Sequence, residues 1–387
     1  MKRIGIYANE QPYAGGAYQY VRSIVKAASE ASKESYWFCV YSIENNWEGI
    51  CKEFNIPFKK LQGTLCQRSG LWIAHHIPNA SLHKVAEGCF HPLWTVYRRD
   101  KLDLMFTPGP GMPGKIHTEK TLITIYDIMH RYIGHFPEVG GEDVYLRRDQ
   151  GYKRNCLLAD GVLVDSVLGK KQLIESYRNE IIDLEKKTYI LPYIAPDYIH
   201  EPAIKIDTFS KYFFYPAQFW KHKNHSNLVL AAAKLREKDI FVNLVFTGKE
   251  KNNKVEIERL IREYGLESQI IIYDYISNNE LIYLYKNARA LVMPTYAGAT
   301  NIPPLEALEL ECPMMVSNNF AMPEQVGDAA LTFNPDSVEE IANCMEQLWN
   351  DDGLCQKLIE AGKVQRNLWG TEQFRNRLLE IIDLVVD

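Results

Sequence analysis

The sequence predicts an α/β protein built from two parallel-sheet domains, and three observations carry that expectation. Short apolar runs alternate with helical patterns along nearly the whole chain, as in a parallel sheet covered on both faces. The 387 residues are too many for one ordinary core. A proline-bearing stretch, LPYIAPDYIHEP at 191–202, leads through a polar segment to a fresh apolar run at Tyr212.

Each element follows from its own pattern. Strands are predicted at Arg3–Ala8, Trp37–Ser42, Leu102–Thr107, Thr121–Tyr126 and Gly161–Asp165 in the first half. In the second they are predicted at Tyr212–Tyr215, Val242–Thr247, Gln269–Tyr273, Ala290–Met293 and Met314–Ser317. Helical spacing marks Ala17–Ser29, Tyr145–Ala159, Asn224–Glu237, Lys254–Tyr264 and Asn279–Asn287. Residues 58–101 break this alternation and gather Trp72, His75, His76, Phe90, Trp94, Tyr97, Arg98 and Arg99. Those side chains suit either an ordinary core or contact with sugars or a lipid interface.

Composition excludes several classes. A net charge of −5 offers no basic footprint, so a nucleic-acid partner is not expected. The eight cysteines form no CxxC pair and no metal-ligand spacing, and Met1-Lys2-Arg3-Ile4 does not open a signal peptide. Reduced thiols in a cytoplasmic protein without a metal or other cofactor are the expectation. No apolar run is long enough to predict a membrane span.

Chemistry concentrates in residues 291–335, LVMPTYAGATNIPPLEALELECPMMVSNNFAMPEQVGDAALTFNP. An apolar strand runs into a small-residue loop, then Pro303-Pro304, then a helix with Glu306 expected in its first turn. The amides of Asn301 and Ile302 would face whatever sits above the strand, a ready anion site. Glu306 would take hydroxyl hydrogen bonds, so the pair of features suits a sugar nucleotide. Gly15-Gly16 follows the first strand and precedes a helix, which lets backbone approach a ligand closely. Asp127 and His130 stand at the end of a predicted strand, with a hydrogen-bonded structural pair as the alternative. The stretch Gln218-Phe219-Trp220-Lys221-His222-Lys223-Asn224-His225 opens the second domain with a basic turn. Gly248 and Tyr275 lie in loops after two further predicted strands.

These motifs, in this order and at these separations, resemble the family-four retaining glycosyltransferases. The likeness extends more weakly over nearly the whole chain, and one subset of bacterial polysaccharide mannosyl- and rhamnosyltransferases is especially similar. The resemblance implies a GT-B fold, two Rossmann-like domains facing across a cleft with their strand ends toward it. It divides the chain into residues 1–200, which bind the acceptor, residues 201–370, which bind the nucleotide sugar, and a helix at 371–387 crossing back to the first domain. Catalysis is then expected at Asp127, His130 and Lys223. Donor binding is expected at Gly15, Gly16, Gln218, Lys223, Gly248, Tyr275, Thr300, Asn301, Ile302 and Glu306.

The implied activity is hexosyl transfer from a nucleotide-diphosphate sugar to a glycan or lipid-linked glycan, in surface polysaccharide or lipopolysaccharide synthesis. Peripheral contact with the inner face of the cytoplasmic membrane would accompany a lipid-linked acceptor. Three positions depart from the family pattern. Tyr126 replaces a histidine, Gln218 replaces an arginine that only Lys221, His222 or His225 could partly make up, and Gly298 replaces a glutamate whose work Thr300 and Asn301 could take over. A catalytically silent GT-B subunit and a GT-B sugar-nucleotide epimerase are the alternatives.

Overall fold

The computed structural model describes residues 1–76, 80–115, 119–298 and 300–387. Residues 77–79 of the aromatic-rich segment and Ala299 of the loop motif lie outside the described residues, as does the side chain of His75. The chain divides into two compact units. The first comprises residues 1–128, 146–192 and 371–387, the second 129–145 and 193–370.

In the first unit seven parallel strands form one sheet: β1 (Lys2–Tyr7), β2 (Tyr36–Ser42), β3 (Phe58–Lys60), β4 (Leu104–Thr107), β5 (Thr121–Thr124), β6 (Gly161–Val164) and β7 (Thr188–Ile190). Their order is β3-β2-β1-β4-β5-β6-β7. The second sheet has six parallel strands: β8 (Phe213–Pro216), β9 (Leu244–Thr247), β10 (Ile270–Tyr273), β11 (Ala290–Met293), β12 (Met314–Ser317) and β13 (Ala330–Phe333). Their order is β10-β9-β8-β11-β12-β13. The inner strands are short and apolar throughout, LMFT in β4 and GVLV in β6, with every residue buried. Only helices on both faces can cover such strands.

Both sheets reverse direction of growth once, between β1 and β4 in the first and between β8 and β11 in the second. Loops leaving neighbouring strands part at such a switch point, which opens a crevice at the strands' carboxyl ends. The second unit's core gathers Phe213, Phe214, Val245, Phe246, Leu291 and Val316 under its helices.

The strands β4, β5, β6, β9 and β10 run shorter than their apolar patterns. β5 stops at Thr124, so Tyr126 and Asp127 lie in the loop beyond it rather than on the strand. The strands β3, β7 and β13 have no counterpart among those read from the sequence. Residues 129–145 group with the second unit, although the sequence division gives them to the first. The reason is apolar, since Ile133, Phe136 and Val139 pack with Ala297, Tyr296 and Phe320. The helix Thr371–Val386 groups with the first unit and buries Phe374, Leu378, Ile381, Ile382 and Val385. Within residues 58–101, Trp94 is core, its Nε1 donating to the Gly114 carbonyl at 2.6 Å, whereas Trp72 and Ile73 are exposed. Among the described residues no helix is long and apolar enough to cross a membrane.

Candidate functional site

The switch point of the second sheet is lined by the loops that leave β8 and β11. After β8 the chain makes a single 3-10 turn at Lys221–Lys223, then enters the helix His225–Arg236 through Asn224. Asn224 is left-handed, with φ 59° and ψ 35°, a conformation that asparagine tolerates better than most residues. Its buried Nδ2 donates to the carbonyls of Pro294 at 3.1 Å and Pro335 at 2.9 Å. One side chain therefore ties the loops after β8, β11 and β13 together. The Tyr215 hydroxyl holds the turn from below by donating to the Lys223 carbonyl at 2.8 Å.

Within this turn the basic residues divide. His225 is fully buried between the rings of Tyr215 and Phe219, with centroids 4.5 and 4.7 Å away. Burial lowers its pKa to about 3, so it is neutral and cannot replace the arginine missing at Gln218. The His222 side chain is directed at Glu138: its backbone N–H donates to Glu138 Oε1 at 2.9 Å and its Nδ1 to the same oxygen at 2.8 Å. Asn252 donates through Nδ2 to Glu138 Oε2 at 2.9 Å and accepts through Oδ1 from the Lys221 N–H at 3.0 Å. Gln218 is half-buried and its Oε1 accepts from Trp220 Nε1 at 2.9 Å. Lys251, unforeseen from the sequence, stands 4.7 Å above the Trp220 ring and adds a cation beside the turn.

On the neighbouring loop the helix starts at Ile302, one residue before the prolines, with Asn301 as its cap. Glu306 is thus the fifth helical residue, in the second turn and not the first. It is 3% exposed. Its carboxylate accepts from the hydroxyls of Tyr198 and Tyr285, the latter at 2.5 Å. Burial raises its pKa, and the two tyrosine hydrogen bonds oppose that rise.

The Asn301 amide is not open to an anion. Its N–H donates to Gln325 Oε1 at 3.0 Å and its carbonyl accepts from Gln325 Nε2 at 2.6 Å. Its side chain is also turned inward, Nδ2 lying 3.2 Å from Met322 Sδ. Gly298 explains this arrangement: its φ is +133°, and a Cβ there would stand 2.2 Å from Asn301 Nδ2. A glutamate at 298 would need another loop. Asn301 therefore supports the loop, and Thr300 is the partly exposed polar residue beside it.

Gly248 also serves packing. A Cβ on it would meet the Ala217 carbonyl oxygen at 2.2 Å, so the loops after β8 and β9 touch backbone to backbone, and its bare face points at Ala217 and Gln218. Tyr275 is 86% exposed on the loop after β10.

In the first unit Gly15 has φ +63°, with open space where a side chain would be, and Gly16 opens the helix Gly16–Ser29. Both are exposed at that helix's amino end. Asp127 is ion-paired with Arg148 at 2.8 Å, and Arg148 also donates to Tyr152. Tyr126 is spoken for as well, since its hydroxyl donates to the Pro108 carbonyl. His130 falls in the second unit, 1% exposed and edge-on to Tyr145 at 5.4 Å. That enclosure speaks for a structural His130, whereas Asp127 pairs with Arg148. Among the described residues no group of histidine, cysteine and carboxylate side chains could hold a metal ion.

Residues 199–365 match the model of the family described as Glycosyl transferases group 1. The fold is the GT-B arrangement of solved glycosyltransferases, among them WaaG, a glycosyltransferase involved in lipopolysaccharide biosynthesis, which superposes with a TM-score of 0.68 at 14% identity. In sequence the chain is similar to bacterial polysaccharide mannosyltransferases. It is 27% identical over 209 residues to the serotype-specific mannosyltransferase WbdA of Escherichia coli, covering 52% of this chain and 23% of that protein. It is 26% identical over 218 residues to the O-antigen chain mannosyltransferase RfbU of Salmonella typhimurium, covering 55% of this chain and 56% of RfbU. The chain thus spans about a quarter of WbdA and about half of RfbU. Anabaena HepE in complex with UDP-glucose superposes over 99% of this chain and all of that one, with a TM-score of 0.70 and 12% identity.

Proposed function

We propose that the chain transfers a hexose, with retention at the anomeric carbon, from a nucleotide-diphosphate sugar to a glycan or lipid-linked glycan. The observation that carries this reading is the pairing, on adjacent strands, of the Lys223 turn with the helix that holds Glu306. A cation beside one loop suits the diphosphate of such a ligand, and a contact of Glu306 with the ribose requires its carboxylate to exchange the Tyr198 and Tyr285 hydroxyls for those of the sugar. The likeness to WbdA and RfbU supports mannosyl transfer in O-antigen-type polysaccharide synthesis, and the fold shared with HepE supports a nucleotide-sugar donor. In the reaction the bond from the anomeric carbon to the phosphate oxygen breaks and a bond to the acceptor oxygen forms on the same face. The acceptor proton passes to the departing phosphate oxygen. Lys223 stabilises the charge that grows on the diphosphate, a role that assigns no metal. Such a reaction belongs on the cytoplasmic side of the membrane, where nucleotide sugars are supplied.

A thermal-shift series with UDP, GDP, dTDP and their sugars tests the reading, followed by transfer from the best donor to lipid-linked acceptors. A nucleotide at 100 times its dissociation constant should add about 2.7 kcal/mol of stability. No shift with any of them would refute donor binding. A shift without transfer would favour the silent subunit, and an altered donor with no acceptor present would favour the epimerase.

A further inference from the structure

Glu138 lies 84 residues before His222 in sequence, yet it is the group on which the Lys223 turn is hung. Its carboxylate takes three donors from two loops: the His222 N–H and ring Nδ1 on one oxygen, Asn252 Nδ2 on the other. Asn252 closes the ring by accepting from the Lys221 N–H. The successive N–H groups of Lys221 and His222 are therefore both held. A second grip comes from the other side, where the His222 carbonyl accepts from the Tyr296 N–H at 2.9 Å. The Phe136 ring beside Glu138 packs 5.2 Å from the Tyr296 ring, so the residues on either side of this network also form one apolar contact.

We infer that Glu138 is a positioning residue, which sets the 3-10 turn so that Lys223 meets the diphosphate. The inference rests on the function proposed above. Glu138 touches neither donor nor acceptor in this role and acts through the turn. Burial pushes its carboxyl up, but the hydrogen bonds from His222 and Asn252 outweigh this and hold the pKa below its ordinary value. It is thus present as the anion, an acceptor at both oxygens. An amide in its place has a single acceptor oxygen, so Glu138→Gln must turn an N–H toward one of the three donors.

The test measures binding of UDP, GDP, uridine and guanosine to the full chain, to Glu138→Gln, to Lys223→Ala and to the double variant. In Glu138→Gln, affinity for the preferred diphosphate should fall ~10-fold, and affinity for its nucleoside should stay within ~2-fold, because only the phosphate contact depends on the turn. In the Lys223→Ala background the same change should cost less than ~2-fold, since coupled residues are not additive. Unchanged diphosphate affinity in Glu138→Gln would overturn the inference. So would an equal loss for nucleoside and diphosphate, or equal losses in both backgrounds, which mark a merely structural role. Should Glu138→Gln fail to fold, Asn252→Ala, which releases the other oxygen of the carboxylate, is held to the same criteria. A wild-type chain that binds neither diphosphate overturns the inference and the proposed function together, whereas wild-type binding with no effect at Glu138 overturns the inference alone.

Discussion

At position 298 the backbone lies at φ +133°, and a methyl group would meet the Asn301 amide at 2.2 Å. Gly298→Ala should therefore cost on the order of 1–3 kcal/mol from the backbone conformation alone, with more from the displaced side chain. Urea denaturation of the two chains checks this, and equal midpoints would show that the loop rearranges freely. The sequence displays the missing glutamate plainly, but the cause depends on a dihedral angle and on where the Asn301 side chain folds. Similar limits apply elsewhere in the site. Glu306 is legible as a carboxylate on a helix behind a small-residue loop. The tyrosines that hold it, Tyr198 and Tyr285, come from separate segments and carry no motif. His225 looks like one more cation in a basic run, and only its burial among aromatic rings makes it neutral.

Helices and strands were legible in proportion to their burial and length. The helix Asn278–Asn287 is announced by Ser277 and Glu280, which form a reciprocal cap: the Ser277 N–H donates to Glu280 at 2.7 Å and the Glu280 N–H donates to Ser277 Oγ at 3.3 Å. Ser277→Ala should cost about 1 kcal/mol, read as a lower urea midpoint with unchanged slope. No shift would mean that water satisfies the freed amide equally well. The strands β3, β7 and β13 escaped sequence reading for a common reason. Each lies at a sheet edge, with one neighbour instead of two, and spans only three or four residues. FKK and TYI are too short for any periodicity to show. The inner strand β11, uniformly apolar, coincides with its apolar run residue for residue.

For the molecule as a whole, the proline-rich break after Leu191 was readable from composition, whereas the allegiance of residues 129–145 was not. That is decided by a handful of contacts made across long sequence separations, with Ile133, Phe136 and Val139 finding Ala297. The helix Thr371–Val386 shows the same non-local logic in the first unit. Its Asp383 pairs with Lys2 at 2.9 Å and accepts from the Tyr36 hydroxyl at 2.7 Å, and Lys120 donates to the Val385 carbonyl at 3.1 Å. Each of its five buried apolar side chains contributes about 1.5–3 kcal/mol, so together they rival the 5–15 kcal/mol that holds a typical domain. A chain ending at Gly370 should accordingly lose the first unit to limited proteolysis while residues 193–370 persist, and equal resistance of both units would refute that dependence. The discontinuous first unit also has a consequence for synthesis on the ribosome. Its closing helix is translated only after residues 193–370, and at roughly 5–20 residues per second that interval is on the order of tens of seconds. Throughout it the nascent first sheet lacks the helix whose Val385 packs on Gly161 of β6, and so presents apolar surface to chaperones until translation has passed through the second unit.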